Sequence, residues 1–154
     1  MQQSFKRLFP EMPDESRVWT YLCNRSLNDQ EANLIENQIK TFTGSWKAHQ
    51  KPLCANGQLL FNQYIVLVVD ESIERISGCS IDSSVHFVKM IENHLEVDFF
   101  NRLNVLVLKN ETPKLVSYHD IGSYKGDFVF NPRIESLNEL RENWLVGIKD
   151  APYF

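Results

Sequence analysis

Residues 65–69 read Ile-Val-Leu-Val-Val, with no polar side chain among them. Side chains alternate between the two faces of a β-strand, so a strand of this composition is apolar on both. It must be an interior strand of a sheet that is covered above and below. The chain therefore needs material on both sides of one sheet. Its 154 residues suffice for one domain that buries about 70% of its unfolded surface, not for two. Hydrophobic residues make up 43% and charged residues 23%, which supplies enough apolar surface to fill such layers.

The flanking periodicities suggest what those layers are. Arg17–Cys23 (RVWTYLC) alternates and is rich in β-branched and aromatic residues, which predicts a strand. Ala32, Ile35, Ile39, Phe42 and Trp46 then recur every three or four residues and form one helical stripe. Asn28 and Glu31 have the spacing of a capping box, with Asn in the place of Ser or Thr, and Gly44 should loosen the last turn. Residues 47–58 (KAHQKPLCANGQ), punctuated by Pro52, Asn56 and Gly57, read as a loop. Residues 59–70 (LLFNQYIVLVVD) read either as one long strand or as a hairpin split at Asn62 and Gln63.

From Asp82 the period is helical again, with Val85, Val88, Ile91 and Leu95 in a stripe that Phe87 widens. Further strands are expected at Leu103–Leu108, Leu115–His119 and Phe128–Phe130, with Lys109–Lys114 as a turn. Ser136 and Glu139 cap a short helix, and Trp144–Ile148 closes the chain as a strand. Residues 1–16, with Pro10 and Pro13 among mixed charges, are expected to be an irregular N-terminal arm. This interleaving predicts an α+β fold (an α/β sandwich) with helices packed on a mixed or antiparallel sheet. The leading topology is a ferredoxin-like βαββαβ core with C-terminal additions, in one domain over residues 1–154. A mixed sheet of another order is the alternative.

Composition narrows the function classes. A net charge of −4 and a pI near 5.6 argue against a nucleic-acid partner, which calls for a basic face. No apolar run reaches the roughly 18 residues of a membrane span, and no membrane association is expected. The first residues lack the apolar core of a signal peptide. Cys23, Cys54 and Cys79 are odd in number and form no CxxC pair, the pattern of a cytoplasmic protein with free thiols.

The stretches SRVWTYLCNR, Trp46 followed by AHQ, VDES, SGCSIDSSVHFV and ENWLV together resemble a family of small Bacteroidetes proteins. That family has no established activity and often carries the label "ABC transporter ATPase". The likeness covers roughly residues 16–145, and SGCSIDSSV with VDES before it is its most specific part. It implies kinship and a bacterial setting. The label itself fails a chemical test. Such an ATPase needs a GxxxxGK[ST] loop to cradle nucleotide phosphates, and none of the six glycines starts one.

Candidate sites cluster after the central strand. With Ser80 or Asp82 as helix N-cap, Cys79 would lie just outside the positive end of the helix, where a thiolate is stabilised. His86, four residues after Asp82 and seven after Cys79, is the candidate base of a catalytic Cys79–His86 pair. The plainer reading makes Cys79 a small buried residue at a tight corner, with Gly78 supplying the turn. Ser80, Ser83 and Ser84 would offer hydroxyls beside free amide groups to a small anion, a phosphate or carboxylate, with Asp82 at the same site opposing it unless its side chain is occupied in capping; ordinary capping chemistry is the plainer reading. Asp70 and Glu71, with Glu74 nearby, follow the strand's carboxyl end, where ligands bind in open α/β sheets. An acidic turn is more often simply solvated.

His86, Met90 and His94 recur along a second helical face. Two histidines eight residues apart are too distant to share one ion, so no metal site is expected. No cofactor is expected either. Phe99, Phe100 and the terminal Pro152-Tyr153-Phe154 fall outside clear stripes and would form an interface patch if exposed. The leading expectation is a non-enzymatic cytoplasmic binding or assembly module with a protein partner or a homo-oligomer. The alternatives are a thiol-dependent enzyme or redox-responsive protein using Cys79, and a small-anion binder.

Overall fold

The computed structural model describes residues 2–150, with side chains from Ser4 onward. In chain order the elements are α1 (Gln2–Phe5), β1 (Arg17–Leu22), α2 (Asp29–Ser45), β2 (Lys47–Ala48), β3 (Lys51–Pro52), β4 (Cys54–Leu60) and β5 (Tyr64–Asp70). They continue with α3 (Gly78–Leu95), β6 (Asn104–Lys109), β7 (Thr112–Ser117), β8 (Phe128–Phe130), α4 (Leu137–Asn143) and β9 (Leu145–Gly147). The fold is α+β. Its three antiparallel sheets have the orders β1-β5-β4, β2-β3 and β7-β6-β8-β9.

β5 is the interior strand that its composition demands. Ile65, Leu67 and Val69 face a core built with Ile35 and Ile39 of α2 and Val88 and Ile91 of α3. Tyr64, Val66 and Val68 point the other way, into a core with Leu106, Leu108, Phe130 and Trp144. Residues 65–69 are all at 0% exposure. At about 1.5–3 kcal/mol per buried aliphatic side chain, this one strand contributes roughly 7–15 kcal/mol of transfer free energy as an upper estimate. In the second core, Tyr64 Oη and Trp144 Nε1 are buried without a hydrogen-bond partner among the described residues. Each costs about 1–3 kcal/mol, which the burial of their rings offsets.

Residues 59–70 form a hairpin, not one long strand. The turn has positive φ at Phe61 (52–57° with Asn62), and Gln63 N–H donates to the Leu60 carbonyl at 3.0 Å. Positive φ at both central residues gives the mirror-image turn whose twist suits a hairpin.

Residues 47–58, expected as a loop, are strand instead. β2 and β3 form a small hairpin, and β4 begins at Cys54. Gly57 sits inside β4 because α2 lies directly on it: a Cβ there would stand 2.6 Å from Ile39 Cγ2. The outer edge of β4 is shielded by side chains. Leu59 N–H donates to the Glu36 carboxylate at 3.0 Å and Gly57 N–H to Asn56 Oδ1 at 2.7 Å. Residues with turn-like composition here serve close packing and edge protection.

The ferredoxin-like core forms only in its first part. β1, α2, β4, β5 and α3 follow that plan, and β1-β5-β4 is its partial strand order. β6 should then pair with β1, but it pairs with β7 and β8 in the second sheet. The reason lies in its own composition. Leu106 and Leu108 enter the second core, while Val105 and Val107 enter a third with Val116 and Val129. Such a strand needs neighbours on both edges and cover on both faces. The open edge of β1 is met instead by residues 135–136, with Val18 N–H donating to the Glu135 carbonyl at 3.0 Å.

The N-terminal arm is irregular beyond Phe5 yet packed against the fold. It begins with α1, and Phe5, Phe9 and Met12 are buried in the second core. The Arg141 guanidinium donates to the carbonyls of Leu8, Phe9 and Met12 and pairs with the Asp14 carboxylate at 2.6 Å. One α4 side chain thus satisfies the backbone of an irregular segment.

Candidate functional site

The start of α3 lies three to five residues earlier than the expected cap at Ser80 or Asp82, with large consequences. Its N-cap is Ser77, whose side chain accepts from Ser80 N–H at 3.1 Å. Cys79 therefore lies within the first turn, and it is exposed, not buried at a corner. The neighbouring hydroxyls are already committed. Ser80 Oγ donates to the Lys47 carbonyl at 2.7 Å, Ser83 Oγ to the Cys79 carbonyl at 3.0 Å and Ser84 Oγ to the Ile81 carbonyl at 2.6 Å. Ser80 and Ser84 are buried. Trp46 Nε1–H donates to the Ser80 carbonyl at 2.9 Å. Ser80 thus locks the helix start to the β2 segment, while Ser83 and Ser84 bond back to carbonyls of their own helix.

Cys79 and His86 are not assembled as a catalytic pair. No hydrogen bond joins their side chains among the described residues, and seven residues of helix separate them by about 10 Å along the axis. A nucleophile and its base need contact near 3 Å. Asp82 is exposed on the same helix.

The acidic corner is similarly occupied with its own loop. Asp70 Oδ1 accepts from Ser72 N–H at 3.0 Å and lies 2.6 Å from Ser72 Oγ, while Glu71 accepts from Ile76 N–H at 3.0 Å. Glu71 also pairs with Arg17 of β1 at 3.7 Å. Among the described residues, no group of three or more His, Cys, Asp or Glu side chains could hold a metal ion.

The aromatic pair after α3 is divided. Phe99 is buried, and Phe100 is 37% exposed with its ring edge-on to Tyr21 at 5.5 Å. Glu92 holds Phe99 inward by accepting its N–H at 2.7 Å. Burial, followed by the hydrogen-bonded Asp98 carboxyl, raises the Glu92 pKa above the ordinary carboxyl range. Pro152, Tyr153 and Phe154 lie outside the described residues.

The surface that the fold does assemble is a groove of about 1010 Å³ between the outward sides of α2 and α3. Its floor is the parallel stack of Phe42 on Phe87, with ring centroids 4.4 Å apart and planes within 6°. Trp46 supports Phe42 from below at 4.9 Å. Gln38 and Thr41 form the α2 wall; His86 and Met90 rise on the α3 side. Met90 is 58% exposed. Of the ten lining residues, Asp82 alone carries a formal charge at neutral pH. The α3 half of this groove was visible in the sequence as the His86–Met90–His94 face. The α2 half was not, although Gln38 and Thr41 flank the apolar stripe at Phe42 without charge.

Comparison with known proteins finds no match to a family model, a curated protein or a solved structure. Among the described residues, no helix is long and apolar enough to cross a membrane.

Proposed function

We propose that the protein is a non-catalytic cytoplasmic binding or assembly module whose recognition surface is the α2–α3 groove. The supporting observation is an aromatic floor with an almost uncharged rim. The whole chain, by contrast, carries 16 basic and 20 acidic residues. Interface centres are depleted in charge and enriched in aromatic residues and Met, as this groove is. The thiol and anion readings lack comparable support. No hydrogen bond joins Cys79 to His86 among the described residues, and the serine hydroxyls are bound to carbonyls. The resemblance to the Bacteroidetes family adds no activity to this reading.

The test uses the apolar dye Nile red, whose fluorescence rises in a dry aromatic cleft. The wild-type protein should bind it. Thr41→Lys, which places a charge on the groove wall without disturbing buried contacts, should lose most of the signal at an unchanged melting temperature. Equal fluorescence from both proteins, or none from the wild type, would overturn the proposal.

A further inference from the structure

We infer that the occupant of the groove is a second copy of this chain, docked face to face about a twofold axis with Met90 of each copy entering the other's groove. This inference rests on the groove being the recognition surface. A twofold interface must be self-complementary, because the same patch serves both partners. Here the projecting and receiving parts share one face. Met90 stands 58% exposed at the rim, while Phe87 on the floor is 9% exposed.

Charge points the same way. The chain carries a net −4, so two copies repel unless the faces they present are neutral. On the α2 wall of the groove, Gln38, Thr41 and Phe42 carry no charge. Facing them across the groove on α3, Asp82 is the sole formal charge of the lining. A strongly charged protein partner would find nothing here to pair with. A second neutral face would find no repulsion.

The size of the face sets the strength of the contact. Helices of 17 and 18 residues run about 26 Å, and two side by side present roughly 500 Å² in projection. A standard stable interface takes about 800 Å² per partner. The dimer should therefore be weak and should dissociate on dilution.

Sedimentation velocity of the full chain from low micromolar to near-millimolar concentration tests this. The expected result is a reversible monomer–dimer equilibrium that Met90→Glu weakens at least tenfold. Met90→Lys should weaken it similarly, and an equimolar mixture of the two variants should restore dimers by placing opposite charges across the axis. A wild-type protein that stays monomeric throughout overturns the inference, as does a Met90→Glu variant that dimerises like the wild type. If the protein is monomeric yet Thr41→Lys still abolishes Nile red binding, the second copy is wrong and the groove stands. If it is monomeric and never binds the dye, both fail.

Discussion

Replacing Gly57 by Ala should destabilise the protein, although glycine inside a strand is ordinarily a weakness. The added Cβ would lie 2.6 Å from Ile39 Cγ2, 3.0 Å from Leu67 Cδ2 and 3.0 Å from the Val66 carbonyl oxygen. Relaxed carbon contacts lie near 3.5–4.0 Å, so α2 and β4 must separate by about 1 Å. Neither side yields readily. Ile39 is β-branched with a stiff χ1 and 0% exposed, and the carbonyl belongs to the central strand β5. Overpacking of this kind costs about 1–3 kcal/mol. The loss of unfolded-chain freedom on replacing Gly returns about 0.4–1 kcal/mol.

The net loss is then about 1–2 kcal/mol, a fall of roughly 3–8 °C in melting temperature for a domain of this size. Urea and thermal denaturation of Gly57→Ala measure it. Gly44→Ala is the internal control, because a Cβ there meets nothing within 4 Å. It should stabilise α2 by up to about 1 kcal/mol. Ile39→Ala alone should cost about 2–5 kcal/mol. In the Gly57→Ala background it should cost at least ~0.5 kcal/mol less, since the clash is relieved. A Gly57→Ala protein as stable as the wild type, with additive double-mutant behaviour, would refute the close-packing explanation.

Two carboxyls give the pH dependence opposite signs. Bidentate hydrogen bonds from Arg25, then the Asn28 N–H, hold the Glu31 pKa down to about 2. Its contribution is complete above the unfolded value of about 4.3 and is lost as pH falls through the folded one. Glu92 is raised, so its contribution is complete below about 4.3 and is lost as pH rises through its folded value. In melting curves from pH 2 to 8, Glu31→Gln should fall below the wild type at neutral pH and converge with it near pH 2. Glu92→Gln should remove part of the decline on the alkaline side of the carboxyl range. Curves parallel to the wild type for both variants would contradict these assignments. Cysteine alkylation followed by mass spectrometry should label exposed Cys79 first, half-buried Cys54 more slowly and buried Cys23 only on unfolding. Early labelling of Cys23 would contradict the packing of β1 against β5.

Several elements were legible because their cause is local. Asn28 and Glu31 close a reciprocal capping box, which depends on backbone groups within one turn. Ser136 likewise caps α4 through Glu139 N–H. The double-sided burial of Ile65–Val69 followed from the two-residue period of a strand. Other features depend on what packs where. Gly57 has the composition of a turn, and only the approach of Ile39 places it in a strand. Ser77, Ser80 and Asp82 are all competent caps. The docking of Trp46 and Lys47 onto Ser80 accompanies the choice of Ser77.

By itself, then, the sequence determined which faces of its helices and strands are apolar and where the caps of α2 and α4 lie. It thereby determined that β5 would be enclosed between two layers. Only the tertiary structure decided that β6 leaves β1 to build a second sheet, that Phe5 and Phe9 close the second core, and that α2 and α3 leave a neutral groove between them. Local hydrogen bonds and side-chain period act over a few residues. The choice of covering partner is a competition among distant surfaces of similar apolar character, and the hydrophobic effect has no direction with which to resolve it.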